Sequence, residues 1–417
     1  MHKNWKLSIL LVGLLFVVGL QALAATPIKI TFNTPFHESD AQAMEQIIDG
    51  FNASRADIQV ELIQGSWTSY YTELRLAVIA GNAPQLGISH VNKLVEMVDF
   101  FTPLDDLFDG VGIGPDDFGT ANWTAGQING QQCMIPLDTH GFGMFYNKDI
   151  FREAGLDPDN PPATLEELLD ACDAIKAAGY YAWHPAEDGA PRKYRRSWYA
   201  NFWQMGGELF DAGYTEATFN NAKGLLALQF LVDVFNDFGY NVVGGNGPNQ
   251  FVAGRLGILT GGNWYYGLMA GSDIDWGYMK MPNLFGTPYT WGNSHNIVIP
   301  VQPAGTSDAV YDAAMQVAQY VAQHSSIWTM SGGHITAFLD AQRDIDLLAS
   351  DYWQKSGYLL AEMANDGLVH FPINHPTGSQ LENALQVNIE LAVTGQITPK
   401  EALDRAEAEC NRILQDT

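Results

Sequence analysis

Positive charge is scarce in this chain, and cysteine nearly so. Lysine and arginine number 21 against 47 acids, a formal charge of −26 over 417 residues. Such a surface repels nucleic acid and anionic membranes, so no nucleic-acid partner is expected, and it weakly disfavours an anionic solute. The three cysteines, Cys133, Cys172 and Cys410, leave at least one unpaired. They form no CxxC pair and no Cys/His spacing of the metal-site type, so motif spacing gives neither a metal nor a cofactor. HExxH, GxSxG and a Gly-rich phosphate loop are also missing. Beyond the first twenty residues, no apolar run is long enough to cross a bilayer.

Against that background the first segment stands out. Lys3 and Lys6 precede an apolar run from Leu7 to Leu20, and Ala22-Leu23-Ala24 offers small-x-small cleavage. Residues 1–24 are therefore expected to be a cleavable signal peptide, with a soluble chain exported to the periplasm or an equivalent extracytoplasmic space. The roughly 390 residues that follow exceed one small core, so two lobes are expected. Apolar residues make up 47% of the chain, enough for globular folding rather than disorder.

Periodicity gives an α/β order. Ile28 to Phe32 alternates as a strand; Ala41, Met44, Ile47, Ile48 and Phe51 recur at helical spacing; Ile58, Val60 and Leu62 alternate again. Leu74, Ala77 and Val78 suit a second helix that Gly81 ends. This order implies parallel strands. Phe142 to Tyr146 reads as a strand, and Thr164 with Glu167 forms a capping box before Leu165, Leu168, Leu169, Cys172 and Ile175. Val310 to Val321 is another amphipathic helix. A last one begins with Thr398 as N-cap and Pro399 at its first position, and it buries Leu403, Ala406 and Cys410. Cys172 and Cys410 thus read as buried small hydrophobes.

Longer runs carry a family resemblance. Pro136-Leu137-Asp138-Thr139-His140-Gly141 leads into Met144-Phe145-Tyr146-Asn147-Lys148-Asp149, followed by Phe151-Arg152-Glu153-Ala154-Gly155-Leu156. Ala83-Pro84-Gln85, Gly206-Gly207-Glu208, Gly262-Asn263-Trp264 and Met281-Pro282-Asn283 follow in matching order, although Gln85 stands where an acid is usual. Together these resemble the bacterial extracellular solute-binding proteins of family 1, the group that contains maltose-binding protein. The resemblance implies a two-lobe periplasmic-binding-protein fold with a hinge and an interlobe cleft. It also implies a carbohydrate ligand and delivery to the permease of an ABC importer by a monomeric receptor. The lobes are expected as 25–137, then 138–281, a return at 282–335, and 336–417.

A neutral sugar needs hydrogen-bonding groups and flat apolar faces. Trp264, at the family's Gly-x-Trp position, is the first candidate for stacking, followed by Tyr265; a core aromatic is the competing reading. His140 and Asp138 sit at an apparent lobe crossing, as contacts or as hinge packing. His37 and Glu38 lie in a loop whose simpler reading is helix capping by Ser39 or Asp40. His90 follows a strand end. Trp198 and Tyr199 form either a second stacking wall or an aromatic pair in the core. Trp291, Asn293 and His295 belong to a small, polar stretch read as a cleft floor, with a tight hairpin as the alternative. Ser331 to His334 reads as a hinge or loop. Arg192, Arg195 and Arg196 make the one basic cluster; as anion binders they would suit a phosphorylated polyol such as glycerol phosphate. A secreted glycoside hydrolase would need two facing carboxylates. Asp105-Asp106 and Asp116-Asp117 read instead as loop and cap acids, so no enzyme activity is expected.

Overall fold

A computed structural model describes residues 26–186, 194–241 and 245–416. The leader at 1–24 and Arg192 lie outside the described residues.

The first lobe is built on a five-stranded sheet in the order Ile58–Gln64, Ile28–Thr34, Leu86–His90, His295–Val298, Ile135–Pro136. Its first three strands are parallel, as the strand–helix alternation predicts. His295–Val298 returns from far along the chain and pairs antiparallel with both neighbours. Helices Glu38–Ser54 and Asp308–Gln323 cover the sheet, burying Met44, Ile47 and Ile48 from one and Ala314, Val317 and Val321 from the other.

The second lobe centres on the ten-residue strand Asp138–Asn147, buried along its whole length. It pairs with Thr290–Asn293, Leu256–Gly262, Trp276–Met279 and Ile335–Thr336. Helices Leu165–Ala177, Tyr194–Gln204, Ala222–Asn236, Gly378–Val393 and Pro399–Gln415 pack around that sheet. Two expected caps form. The Thr164 hydroxyl accepts from the Glu167 N–H in a full capping box, and the Thr398 hydroxyl accepts from the Glu401 N–H. Cys133, Cys172 and Cys410 are all buried free thiols; burial pushes the Cys410 thiol up to about 12.

The lobe boundaries differ from those expected at 282 and 335. Leu284 and Trp291 pack in the second core, and Thr290–Asn293 hydrogen-bonds the second sheet, so the second lobe continues to Asn293. Ala337, Phe338 and Ala341 pack in the first core, so that lobe runs past 335. Three segments therefore meet at the lobe junction, near residues 137, 294 and 336, and the last of them passes into the second lobe between Ala341 and Leu347. They lie side by side: Leu137 N–H donates to the His295 carbonyl, and Ala337 N–H to the Leu137 carbonyl, each at 2.9 Å. Among the described residues, no helix is long and apolar enough to cross a membrane.

Candidate functional site

A cleft of about 550 Å³ lies between the lobes. The first lobe lines it with His37, Glu38, Asp40, Trp67, Tyr71, His90, Asn92 and Lys93. The second supplies Arg195, Arg196, Trp264, Trp291, Asn293 and Glu382, and His140, His295 and His334 come from the crossing segments.

Local sequence explains several placements. Trp264 follows the strand Leu256–Gly262 and folds back over Gly262, where a Cβ would lie 2.1 Å from the indole. Only glycine permits that approach. The half-buried indole then faces the cleft, edge-on to His140 at 5.8 Å between centroids. His334 enters through Gly333, whose left-handed backbone (φ +78°) ends helix Ser325–Gly332. The Gly333 carbonyl accepts from the Asn263 amide and the Tyr352 hydroxyl, which fixes the turn beneath Trp264.

The floor is organised by Asp138, which is fully buried. Its Oδ1 accepts from His140 Nδ1 and from the His295 backbone N–H, each at 3.0 Å. Its Oδ2 accepts from His295 Nδ1 at 2.7 Å and Trp328 Nε1 at 2.8 Å. Burial pushes this carboxyl up, but His295, His334 and His140 outweigh it, and its pKa falls well below the usual carboxylate range. An ionised carboxylate can only accept, so both Nδ1 atoms carry the proton. Burial, reinforced by His295, lowers His140 to about 3. Neutral and protonated on Nδ1, it presents Nε2 as an acceptor. His90 works in the opposite sense. Its Nδ1 lies 2.8 Å from the Tyr71 hydroxyl, whose pKa burial raises. Burial and the neighbouring His295 and His140 hold His90 well below its ordinary value. The protonated phenol donates to Nδ1, leaving Nε2–H as a donor. Asn293 Nδ2 donates to Asn92 Oδ1 at 2.9 Å, tying the two walls.

The basic residues are engaged. Arg195 donates to Glu382 at 2.6 Å and to Gln386 at 3.2 Å. The Arg196 guanidinium lies 3.7 Å above the centre of the Trp291 ring, a cation–π contact that covers this face of the ring.

The sequence candidates His37, Glu38, His90, His140, Trp264, Trp291, Asn293, His295, Arg195 and Arg196 are thus brought to one cleft. Four are placed elsewhere. Trp198 and Tyr199 are fully buried; Trp198 lies parallel to Phe202 and donates Nε1–H to the Gly224 carbonyl at 3.0 Å, and Tyr199 packs on Trp203. They sit in the core because helix Tyr194–Gln204 is enclosed on nearly every face. Tyr265 packs against Gly261, away from the cleft-lining set. Asp138 lies below the floor and meets the cleft through its histidines. Ser39 and Asp40 do not cap their helix either: His37 holds the N-cap position, and Asp40 instead bonds His334 Nε2 at 3.1 Å. His334, read from sequence as part of a hinge or loop rather than as a contact, lines the cleft. Trp67, Tyr71, Lys93 and Glu382 escaped the sequence reading, and Asp40 was read there only as a helix cap. Trp67 and Tyr71, four apart just after the strand Ile58–Gln64, carry the signal that could have found the first pair.

The bacterial extracellular solute-binding protein family model matches residues 37–323. An sn-glycerol-3-phosphate-binding periplasmic protein of Pectobacterium atrosepticum is 23% identical over 94% of each chain. Among solved structures, the cyclic α-maltosyl-1,6-maltose binding protein of Arthrobacter globiformis superposes with a TM-score of 0.77 at 26% identity, covering 94% of this chain and 100% of that one. An ABC substrate-binding protein of Listeria monocytogenes, in complex with cycloalternan, gives 0.80 at 17% identity, covering 93% and 99%. With two lobes, three crossing segments and a family match spanning most of its length, this chain belongs to the bacterial extracellular solute-binding proteins.

Proposed function

We propose that the protein captures a neutral carbohydrate in the interlobe cleft outside the cytoplasm and hands it to the permease of an ABC importer. The observation that carries this reading is the pairing of aromatic faces with neutral hydrogen-bonding groups. Trp67 on one lobe and Trp264 on the other offer surfaces for sugar C–H groups, while His90 Nε2–H, His140 Nε2, Asn92 and Asn293 supply donors and acceptors. Ligand that touches both walls favours the shut arrangement, so binding and hinge closure are one equilibrium. The structural neighbours named for oligosaccharides support the ligand class.

A glycerol-phosphate-like anion is the second reading, favoured by the named function of the curated relatives and by Arg195 and Arg196 at the cleft. Against it, Arg195 already spends its charge on Glu382, and Lys93 is 2.9 Å from Glu96. A thermal-shift and tryptophan-fluorescence screen over linear and cyclic oligosaccharides, monosaccharides and glycerol 3-phosphate separates the two. The carbohydrate reading expects a sugar hit whose Kd is insensitive to salt and whose ligand is recovered unchanged. A salt-sensitive phosphate-ester hit lost in Arg195→Ala would replace it.

A further inference from the structure

The three crossing segments bring together groups that are remote in sequence. Asp138 and His140 come from the first, His295 from the second and His334 from the third. One ligand atom from each of these four lies within 4.8 Å of the others. All four side chains are buried, and the three histidines border the cleft, which gives an ion an entry path.

The hydrogen bonding around the rings has the form that metal-binding histidines use, in which a carboxylate holds one ring nitrogen and leaves the other free. Asp138 takes Nδ1 of both His140 and His295, and Asp40 takes Nε2 of His334. Among the described residues, the buried His334 Nδ1 is orphaned, while His140 and His295 spend Nδ1 on Asp138 and line the cleft with the rest of their rings. Buried polar nitrogens without a partner are uncommon in folded proteins. One such atom, in a buried cluster with two further imidazoles and beside two carboxylates, calls for a cation.

We propose that His140, His295 and His334 bind one zinc-type divalent ion at the base of the cleft, with Asp138 and Asp40 orienting the rings and balancing its charge. Imidazole donors select Zn²⁺, Co²⁺, Ni²⁺ or Cu²⁺ over Mg²⁺ and Ca²⁺, which prefer all-oxygen shells. Zinc–nitrogen bonds of about 2.0–2.1 Å put tetrahedral ligands roughly 3.4 Å apart, so the cluster must contract by about 1 Å. Such an ion would tie all three crossings together. With the ion bound, His140 Nε2 serves the metal, and the solute meets His90, Asn92, Asn293 and the two tryptophan faces.

The test uses the untagged full chain, dialysed against EDTA and then into metal-free buffer. Titration with Zn²⁺ by calorimetry and with Co²⁺ by visible absorption is expected to show one ion per chain, with the intense d–d bands of four-coordinate, nitrogen-ligated cobalt. His334→Ala and His295→Ala should each weaken binding by ~100-fold, and Asp40→Asn, which removes only an orienting carboxylate, by ~10-fold. His375→Ala, at a site remote from the cluster, should bind as the parent does. Failure of the parent chain to bind one equivalent overturns the proposal. So does equal binding by the His295→Ala/His334→Ala double variant, which would mean adventitious uptake by surface acids. If those variants do not fold, the cobalt spectrum of the parent decides: weak bands of oxygen-only octahedral cobalt refute the site.

Discussion

Glu96, on the first lobe, accepts a 2.6 Å hydrogen bond from the Ser379 hydroxyl, on the second. Lys93 reaches the same hydroxyl and pairs with Glu96 at 2.9 Å, and nearby Val95 N–H donates to Asn374 Oδ1. These contacts span the cleft and exist only while the lobes are together. Burial pushes the Glu96 carboxyl up, but Ser379, Lys93 and Arg75 prevail and hold it below its ordinary value of 4.5. Ser379→Ala should therefore loosen closure by about 1 kcal/mol, a ~fivefold rise in ligand Kd.

The same pair sets a pH response. A carboxyl with depressed pKa contributes in full above its ordinary value, and the contribution is lost as pH falls through the lowered one. Small-angle scattering of the ligand-saturated protein should show a compact particle from neutral pH to about 4.5, expanding below it. Ser379→Ala should flatten that transition. An unchanged radius in both proteins would discard the latch.

Trp264 and Trp198 should separate binding from folding. Trp264→Ala removes a half-buried ring from the cleft wall and should cost at least about 2 kcal/mol of ligand affinity, ~30-fold in Kd, with little change in Tm. Trp198→Ala empties a fully buried site and should cost about 3–5 kcal/mol of stability, lowering Tm by roughly 10 °C. Calorimetry and thermal melts on both variants check the contrast.

Asp138→Ala removes the common acceptor of four hydrogen bonds in a fully buried position. The His140, His295 and Trp328 donors would be stranded, and the variant should lose about 3–5 kcal/mol in urea unfolding. A loss below about 1 kcal/mol would mean that water replaces the carboxylate.

Glu38 has a left-handed backbone (φ +52°) at the cleft mouth. An L-residue there is strained by roughly 1–2 kcal/mol. Glu38→Gly should raise stability slightly while weakening ligand binding. A parallel fall in both would show that the strain serves no binding role.

Much of the scaffold was legible because local chemistry dictates it. Thr164 with Glu167, and Thr398 before Pro399, mark helix starts that tertiary packing has no reason to override. The strand Asp138–Asn147 was read only from Phe142 onward, because its first four residues are paired by segments that enter much later in the chain. Trp198 and Tyr199 misled for a related reason: a helix buried on all sides has no polar face to reveal which aromatics look inward. His334 was passed over as a hinge or loop residue because its neighbours in space, Asp40, Asp138 and His140, all lie far upstream. The cleft is a product of three crossings, and no window of sequence contains them all.

The first lobe's sheet is completed by a strand that pairs Asn296 with Ser89, positions 207 residues apart. Until that strand emerges from the ribosome, Leu86–His90 keeps an open edge and the lobe has no finished core. Long-range pairing of this kind also folds slowly. A polypeptide that stays unfinished for so much of its synthesis remains threadable, which is what the proposed role outside the cytoplasm would ask of it.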